Sequence, residues 1–153
     1  MDKIVFITGA SSGIGAGCAR KFASQGASLI LNARNVNKLS ALKEELEKQY
    51  GAKIYLLPFD VRDRKAATSA LESLPKEWQS IDILVNNAGL VIGTDKEQEG
   101  SLDEWDIVID TNIKALLAMT RLIVPGMVER KRGHIINIGS IAGDAAYPIK
   151  LSQ

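Results

Sequence analysis

Eight residues near the start of the chain, Thr8-Gly9-Ala10-Ser11-Ser12-Gly13-Ile14-Gly15, have the types and spacing to grip an anion through main-chain amides. A short apolar run precedes them and a segment of helical periodicity follows. In that setting Gly9 lets the chain leave a strand in a tight turn. Gly13 removes a side chain where backbone must approach a pyrophosphate, and Gly15 permits close contact between helix and sheet. The free N–H groups of the helix's first turn then face the anion. A glycine- and serine-rich loop without a ligand is the plain alternative, and the strand before and helix after argue against it.

Farther on the chain reads Leu31-Asn32-Ala33-Arg34, with no acid where a dinucleotide fold commonly accepts a hydrogen bond from the ribose 2′-hydroxyl. A carboxylate there would repel a 2′-phosphate, whereas Arg34 can hold one in a bidentate, charge-assisted pair. The expected cofactor is therefore NADP, with NAD less favoured. The alternative makes Arg34 a solvated loop cation. Lys38, one helical turn on, can contribute charge to the same place.

These groups need a scaffold. Apolar runs of strand length fall at residues 4–7, 28–31, 53–57, 81–85 and 134–138. They are continuously apolar rather than alternating, as strands covered on both faces must be. Helical segments lie between them, at residues 14–25, 36–50, 63–74 and 102–130. Leu39, Leu42 and Leu46 recur at spacings of three and four in the second. The fourth is long and expected to kink near Pro125, whose ring blocks a hydrogen bond to the preceding turn. Residues 91–100 read as a loop. Strict strand–helix alternation predicts one α/β domain over residues 1–153, a doubly wound parallel sheet of order 3-2-1-4-5. Ligands of such sheets sit at the carboxyl ends of the strands, where each motif named here falls.

The spacing of Thr8 to Gly15 resembles the T-G-x3-G-x-G signature of the short-chain dehydrogenases/reductases. Asn86-Asn87-Ala88-Gly89, after the fourth strand, is similar to that family's N-N-A-G. Asp60 and Val61 stand where it keeps its adenine-side acidic residue, Asn112 where it keeps an Asn in the long helix, and Ser140 where it keeps a Ser after the fifth strand. The resemblance runs from about residue 3 to residue 147, and residues 81–90 and 127–139 look most like the NADP-dependent branch acting on serine and other 3-hydroxy acids. It implies a Rossmann-type fold and hydride exchange between NADP and a small hydroxy acid or alcohol. Around the cofactor it implies Thr8, Gly9, Ser11, Ser12, Gly13, Ile14, Gly15, Arg34, Asp60, Val61, Asn86, Ala88 and Gly89. Asn86 is expected to hold backbone near the cofactor ribose, or else to serve as a turn-former. Asp60 is expected at the adenine, with capping of the next helix as a second role. Ser12 stands where many NADP-binding members have a further basic residue.

The family's catalytic set implies Ser140 to orient the substrate oxygen and Asn112 to support a water relay. A simple turn hydroxyl and a satisfied helix polar group are the plainer readings. The set is completed by a Tyr general acid/base and a Lys four residues later. Here Tyr147 and Lys150 are spaced by three and come too early. A spacing of three still shares a helix face, and Pro148 can open a helix. Chance or a rewritten tail explains the pair better. The 153 residues are therefore expected to be a truncated or frame-shifted product, or a fragment, lacking the family's last helix and strands. Such a loss would leave the fifth strand an open edge. Two other outcomes stay open, a catalytically silent NADP-binding module and a fragment without function. The resemblance implies pairing of copies through two long helices, of which only the first, residues 102–130, is here, so a homo-oligomer stays open.

Composition sets the remaining bounds. The chain is 46% hydrophobic and 24% charged with a net charge of +1, an ordinary globular balance. Its densest basic cluster, Arg130-Lys131-Arg132, is too short to suggest nucleic acid. Nothing approaches a membrane span, and one cysteine, Cys18, points to a reducing, cytoplasmic setting. A lone His134 without partners at ligand spacing argues against a metal site. Trp78 and Trp105 read as packing residues, and residues 43–48 as a solvated helix face.

Overall fold

In a computed structural model the described residues are 3–93, 96 and 98–141. Tyr147 and Lys150 therefore lie outside them. The elements run β1 (Ile4–Ile7), α1 (Gly13–Ser24), β2 (Ser28–Leu31), α2 (Val36–Tyr50), β3 (Ile54–Leu56), α3 (Arg64–Glu72), β4 (Ile81–Asn86), α4 (Leu102–Ile109), α5 (Ala115–Glu129) and β5 (His134–Asn137). All five strands pair in parallel in the order β3-β2-β1-β4-β5. The expected sheet order holds.

Alternation along each strand explains why the strands are apolar throughout. Val5 and Ile7 of β1, with Leu29 and Leu31 of β2, point to the face covered by Ala16, Ala19 and Ala23 of α1 and by Leu39, Leu42 and Leu46 of α2. Phe6, Ile30 and Leu84 point the other way, onto Ala67 of α3 and onto Met119, Ile123 and Met127 of α5. Each fully buried Leu or Ile side chain contributes about 1.5–3 kcal/mol relative to exposure. Alanines on α1 let that helix sit close to the sheet, which brings its N-terminus to the end of β1. The outer strand β5 has His134, Ile135 and Asn137 exposed.

Two helical segments differ from expectation. The long fourth segment is not one continuous α-helix. Its hydrogen bonding changes at residues Asp110–Lys114, which form a π-turn between α4 and α5, while Pro125 lies inside α5. Wide turns of this kind concentrate at functional sites. The third helix is also shorter than expected, beginning at Arg64 under an Asp63 cap and ending at Glu72.

Helix caps position the loops. Asn35 accepts from the Lys38 N–H, Asp63 from Ala66 and Ser101 from Glu104. The left-handed Gly51 (φ 62°) ends α2. In α1, by contrast with α2, α3 and α4, the N-cap residue, Ser12, makes no side-chain cap bond.

Candidate functional site

The carboxyl ends of the strands enclose an open cleft of about 1180 Å³. Its floor and walls come from the glycine-rich turn (Gly9, Ser11, Ser12, Ile14), the end of β2 (Asn32 to Asn35), the β3–α3 segment (Phe59 to Arg62) and the segment after β4 (Asn86 to Val91). Thr111, Asn112 and Leu116 close one side, with Ile138, Gly139 and Ser140 beside them. Most of the residues expected in the site thus meet in one cavity. Thr8, Gly13 and Gly15 are not on its lining.

The glycine-rich turn is held from below by Thr8, which is 2% exposed. Its hydroxyl donates to the Val85 carbonyl (3.3 Å) and accepts from the N–H groups of Asn87 (3.0 Å) and Ala88 (2.9 Å). One side chain therefore locks the turn after β1 to the turn after β4. Gly9 (φ 63°) needs left-handed backbone, and a Cβ there would stand 2.9 Å from Ala88 Cα. A Cβ on Gly15 would strike the Gly9 carbonyl oxygen. Gly13 (φ 52°) faces open space within 4 Å, so its requirement is conformational and it leaves room above the turn.

The residue that holds backbone here is Asn87, not Asn86. The Asn87 amide donates to the carbonyls of Thr8 (3.0 Å) and Gly9 (3.1 Å). Asn86 is the last residue of β4, 4% exposed, and its amide donates to Thr120 Oγ1 (3.1 Å) and Asn137 Oδ1 (2.9 Å). It ties β4 to α5 and β5. Adjacent asparagines at a strand end point to opposite faces, so the two cannot share one partner. The β4–α4 side is fixed by Asn112, whose Oδ1 accepts from the Leu90 N–H and whose Nδ2 donates to the Leu90 carbonyl, each at 2.8 Å. It sits at the centre of the π-turn. A Cβ on Gly89 would approach Asn112 Oδ1 to 3.3 Å.

Asp60 does not cap α3, since Asp63 does so. Its carboxylate accepts from Arg62 instead, from the backbone N–H (3.0 Å) and from the guanidinium, closest at 2.6 Å. Arg34 Nη1 lies 3.9 Å from the same carboxylate, with its side chain 68% exposed. Arg62 escaped notice in the sequence because an i, i+2 acid–base pair in a loop carries no signature. The Arg62 guanidinium, chiefly through its hydrogen bonds, holds the Asp60 carboxyl below the usual carboxylate range, with Arg34 adding a smaller pull. Burial opposes both. A depressed folded pKa contributes stability above the unfolded value of about 3.9 that is lost as pH falls. Asp60→Asn should therefore flatten the decline of thermal stability between about pH 5 and 3. Parallel melting curves for the two proteins over that range would remove the argument.

Ser140 is exposed at the cleft, three residues past the end of β5. Among the described residues no group of three His, Cys, Asp or Glu side chains is placed to hold a metal ion, and no helix is long and apolar enough to cross a membrane. An uncapped helix N-terminus, a glycine turn and a flanking cation at the end of β2 define a class. It is the doubly wound fold that binds dinucleotides at its topological switch point.

The sequence pattern of the short chain dehydrogenase family matches residues 3–151, and the chain belongs to that family. It is 49% identical over 144 residues to the NADP-dependent 3-hydroxy acid dehydrogenase YdfG of Escherichia coli (strain K12), a match covering 94% of this chain and 56% of the relative. The crystal structure of serine dehydrogenase from Escherichia coli superposes with a TM-score of 0.88 at 49% identity, covering 94% of this chain and 65% of that one. A closed form of serine dehydrogenase complexed with NADP+ gives a TM-score of 0.86 at 47% identity, with coverage of 94% and 56%. The chain spans a little over half the length of the curated relatives it matches.

Proposed function

We propose that these residues form the nucleotide-binding part of an NADP-dependent short-chain dehydrogenase acting on a small 3-hydroxy acid. The observation that carries the reading is the end of β2. Neutral Asn32 and exposed Arg34 stand at the cleft where a ribose-binding acid would otherwise be. The similar proteins named above as NADP-dependent, or solved with NADP+, support the same cofactor.

The residues present suit that group. First-turn amides of α1, free of side-chain caps, face a diphosphate beside Ser11 and Ser12. Arg34 and Lys38 take the 2′-phosphate, and Asp60 with Val61 borders the adenine. When bound, NADP accepts or donates the hydride. Ser140 orients the substrate oxygen at the other end of the cleft, and Asn112 keeps the backbone at Leu90 and the π-turn in register beneath it. The compartment fitting a single unpaired Cys18 is the cytoplasm.

For the 153 residues themselves the reading is binding without turnover. After Ser140 they contain Tyr147 and Lys150, one residue short of the family's spacing. The expected result is saturable NADPH binding with no detectable NADP reduction on a panel of 3-hydroxy acids. Turnover would show that this Tyr–Lys pair works, and absence of binding would remove the proposal.

An exposed apolar stripe runs along α4, the π-turn and α5, through Leu102 (70% exposed), Ile113 (54%), Leu117 (61%) and Val128 (67%). Its lower half is a shallow apolar groove lined by Leu117, Val124 and Val128. We assign it to pairing with a second copy. Sedimentation should show dimers that dissociate in Leu117→Glu, whereas a monomer at tens of micromolar would contradict the assignment.

A further inference from the structure

Asn32 has entered so far only for its lack of charge, yet its side chain and backbone join three parts of the cleft. It follows β2 directly and is 1% exposed. Its side-chain Nδ2 donates to the carbonyls of Leu57 (3.0 Å) and Phe59 (3.1 Å). Two carbonyl oxygens facing one amide require the nitrogen at that end. Through the main chain, its N–H donates to the Ile7 carbonyl (3.0 Å) and its own carbonyl accepts from Ala10 (2.9 Å). The end of β1, the glycine-rich turn and the segment leading to Asp60 and Val61 thus converge on one residue.

The side chain is also imperfectly satisfied. Its Oδ1 is buried and finds no hydrogen-bond partner among the described residues. A leucine here would have nearly the same shape and would remove that unpaired acceptor, at the cost of the donor to the Leu57 and Phe59 carbonyls. What leucine would lose is the hold on residues 57–59. Beyond that hold the chain turns through Phe59, Asp60 and Val61, all of which line the cleft.

We propose that Asn32 is the positioning residue for adenine recognition: by fixing the Leu57 and Phe59 carbonyls it sets Asp60 and Val61 against the ring. The inference rests on the NADP reading above. A carboxylate such as that of Asp60 accepts a hydrogen bond from the exocyclic amine of adenine, which hypoxanthine lacks. Positioning by Asn32 therefore shows as a preference between two nucleotides that differ only along that edge of the ring, where hypoxanthine carries an oxygen in place of the amine and a proton on the adjacent N1.

The test titrates the full chain and Asn32→Leu with NADPH and with its hypoxanthine counterpart, and melts both proteins without ligand. The expected result is a Tm lowered by about 4–8 °C, as the loss of two hydrogen bonds to the Leu57 and Phe59 carbonyls entails, NADPH affinity lowered by about tenfold, and a much smaller loss for the hypoxanthine nucleotide. Should Asn32→Leu fail to fold, Asn32→Thr retains one donor, and the ratio of its two affinities decides. Unchanged NADPH affinity, or equal losses for both nucleotides, overturns the proposal while leaving the NADP reading intact. A parent chain that binds NADPH and its counterpart equally well overturns it too. A parent chain that binds neither removes both readings.

Discussion

Gly15→Ala should destabilise the chain by about 1–3 kcal/mol and weaken NADPH binding by roughly 10- to 100-fold. The added Cβ would collide with the Gly9 carbonyl oxygen and stand 2.5 Å from Asn87 Nδ2. A backbone oxygen cannot rotate away, so the turn itself must shift. That shift also pulls on the bonds from Asn87 to the Thr8 and Gly9 carbonyls. The anion site and the clamp beneath it move together. Gly17 is the control, two residues along the same helix. It is exposed, and a methyl group there would meet nothing within 4 Å, so Gly17→Ala should stabilise by about 0.5–1 kcal/mol through helix propensity. Opposite signs for one substitution at neighbouring sites can be read directly from urea melts. Equal effects at both positions would mean that the close approach is not as described.

The second large effect is expected at Arg34. Hydrogen bonds between charged partners contribute about 1.5–3 kcal/mol each, so removing the guanidinium and placing a carboxylate in its stead should lower NADPH affinity by about 100-fold or more. NADH, which has no 2′-phosphate, should change by less than about threefold or bind somewhat better, because a carboxylate can accept from its 2′-hydroxyl. Arg34→Glu therefore inverts cofactor preference rather than abolishing binding. Arg34 also neighbours Asp60 at 3.9 Å, so Arg34→Gln separates loss of the cation from the added repulsion between two acids. Competition titrations with NADPH and NADH give both ratios. If Arg34→Glu weakens the two nucleotides equally, Arg34 does not read the phosphate.

Much of the fold can be read in the sequence because two periodicities separate cleanly. Val5, Phe6 and Ile7 are all buried, on opposite faces, and only a strand covered on both sides asks for that. Leu39, Leu42 and Leu46 mark a single buried stripe. Helices between parallel strands leave few topologies, hence the correct sheet order. The π-turn at Asp110–Lys114 was hidden, since one widened turn leaves the side chains of α4 and α5 helically spaced.

The site was readable where it depends on glycine, whose absence of a side chain is itself a signal. It was less so where a polar side chain could take either of two faces. Asn86 and Asn87 differ by one position and by every partner they have. Asp60 and Asp63 both suit a helix cap, and geometry alone assigns that role to Asp63. Asn32 sits in a run of apolar residues and gives no sign of the two carbonyls it holds. Such roles arise from segments far apart in the chain meeting in space.

At 16.6 kDa the chain suits a titration of its backbone amide resonances with NADPH. If the turn after β1 grips the diphosphate, the largest shifts fall on the amides of residues 11–15, with Arg34 and Val61 following at the same ligand concentration. Shifts confined to other regions, or a spectrum unmoved at millimolar nucleotide, would contradict that grip.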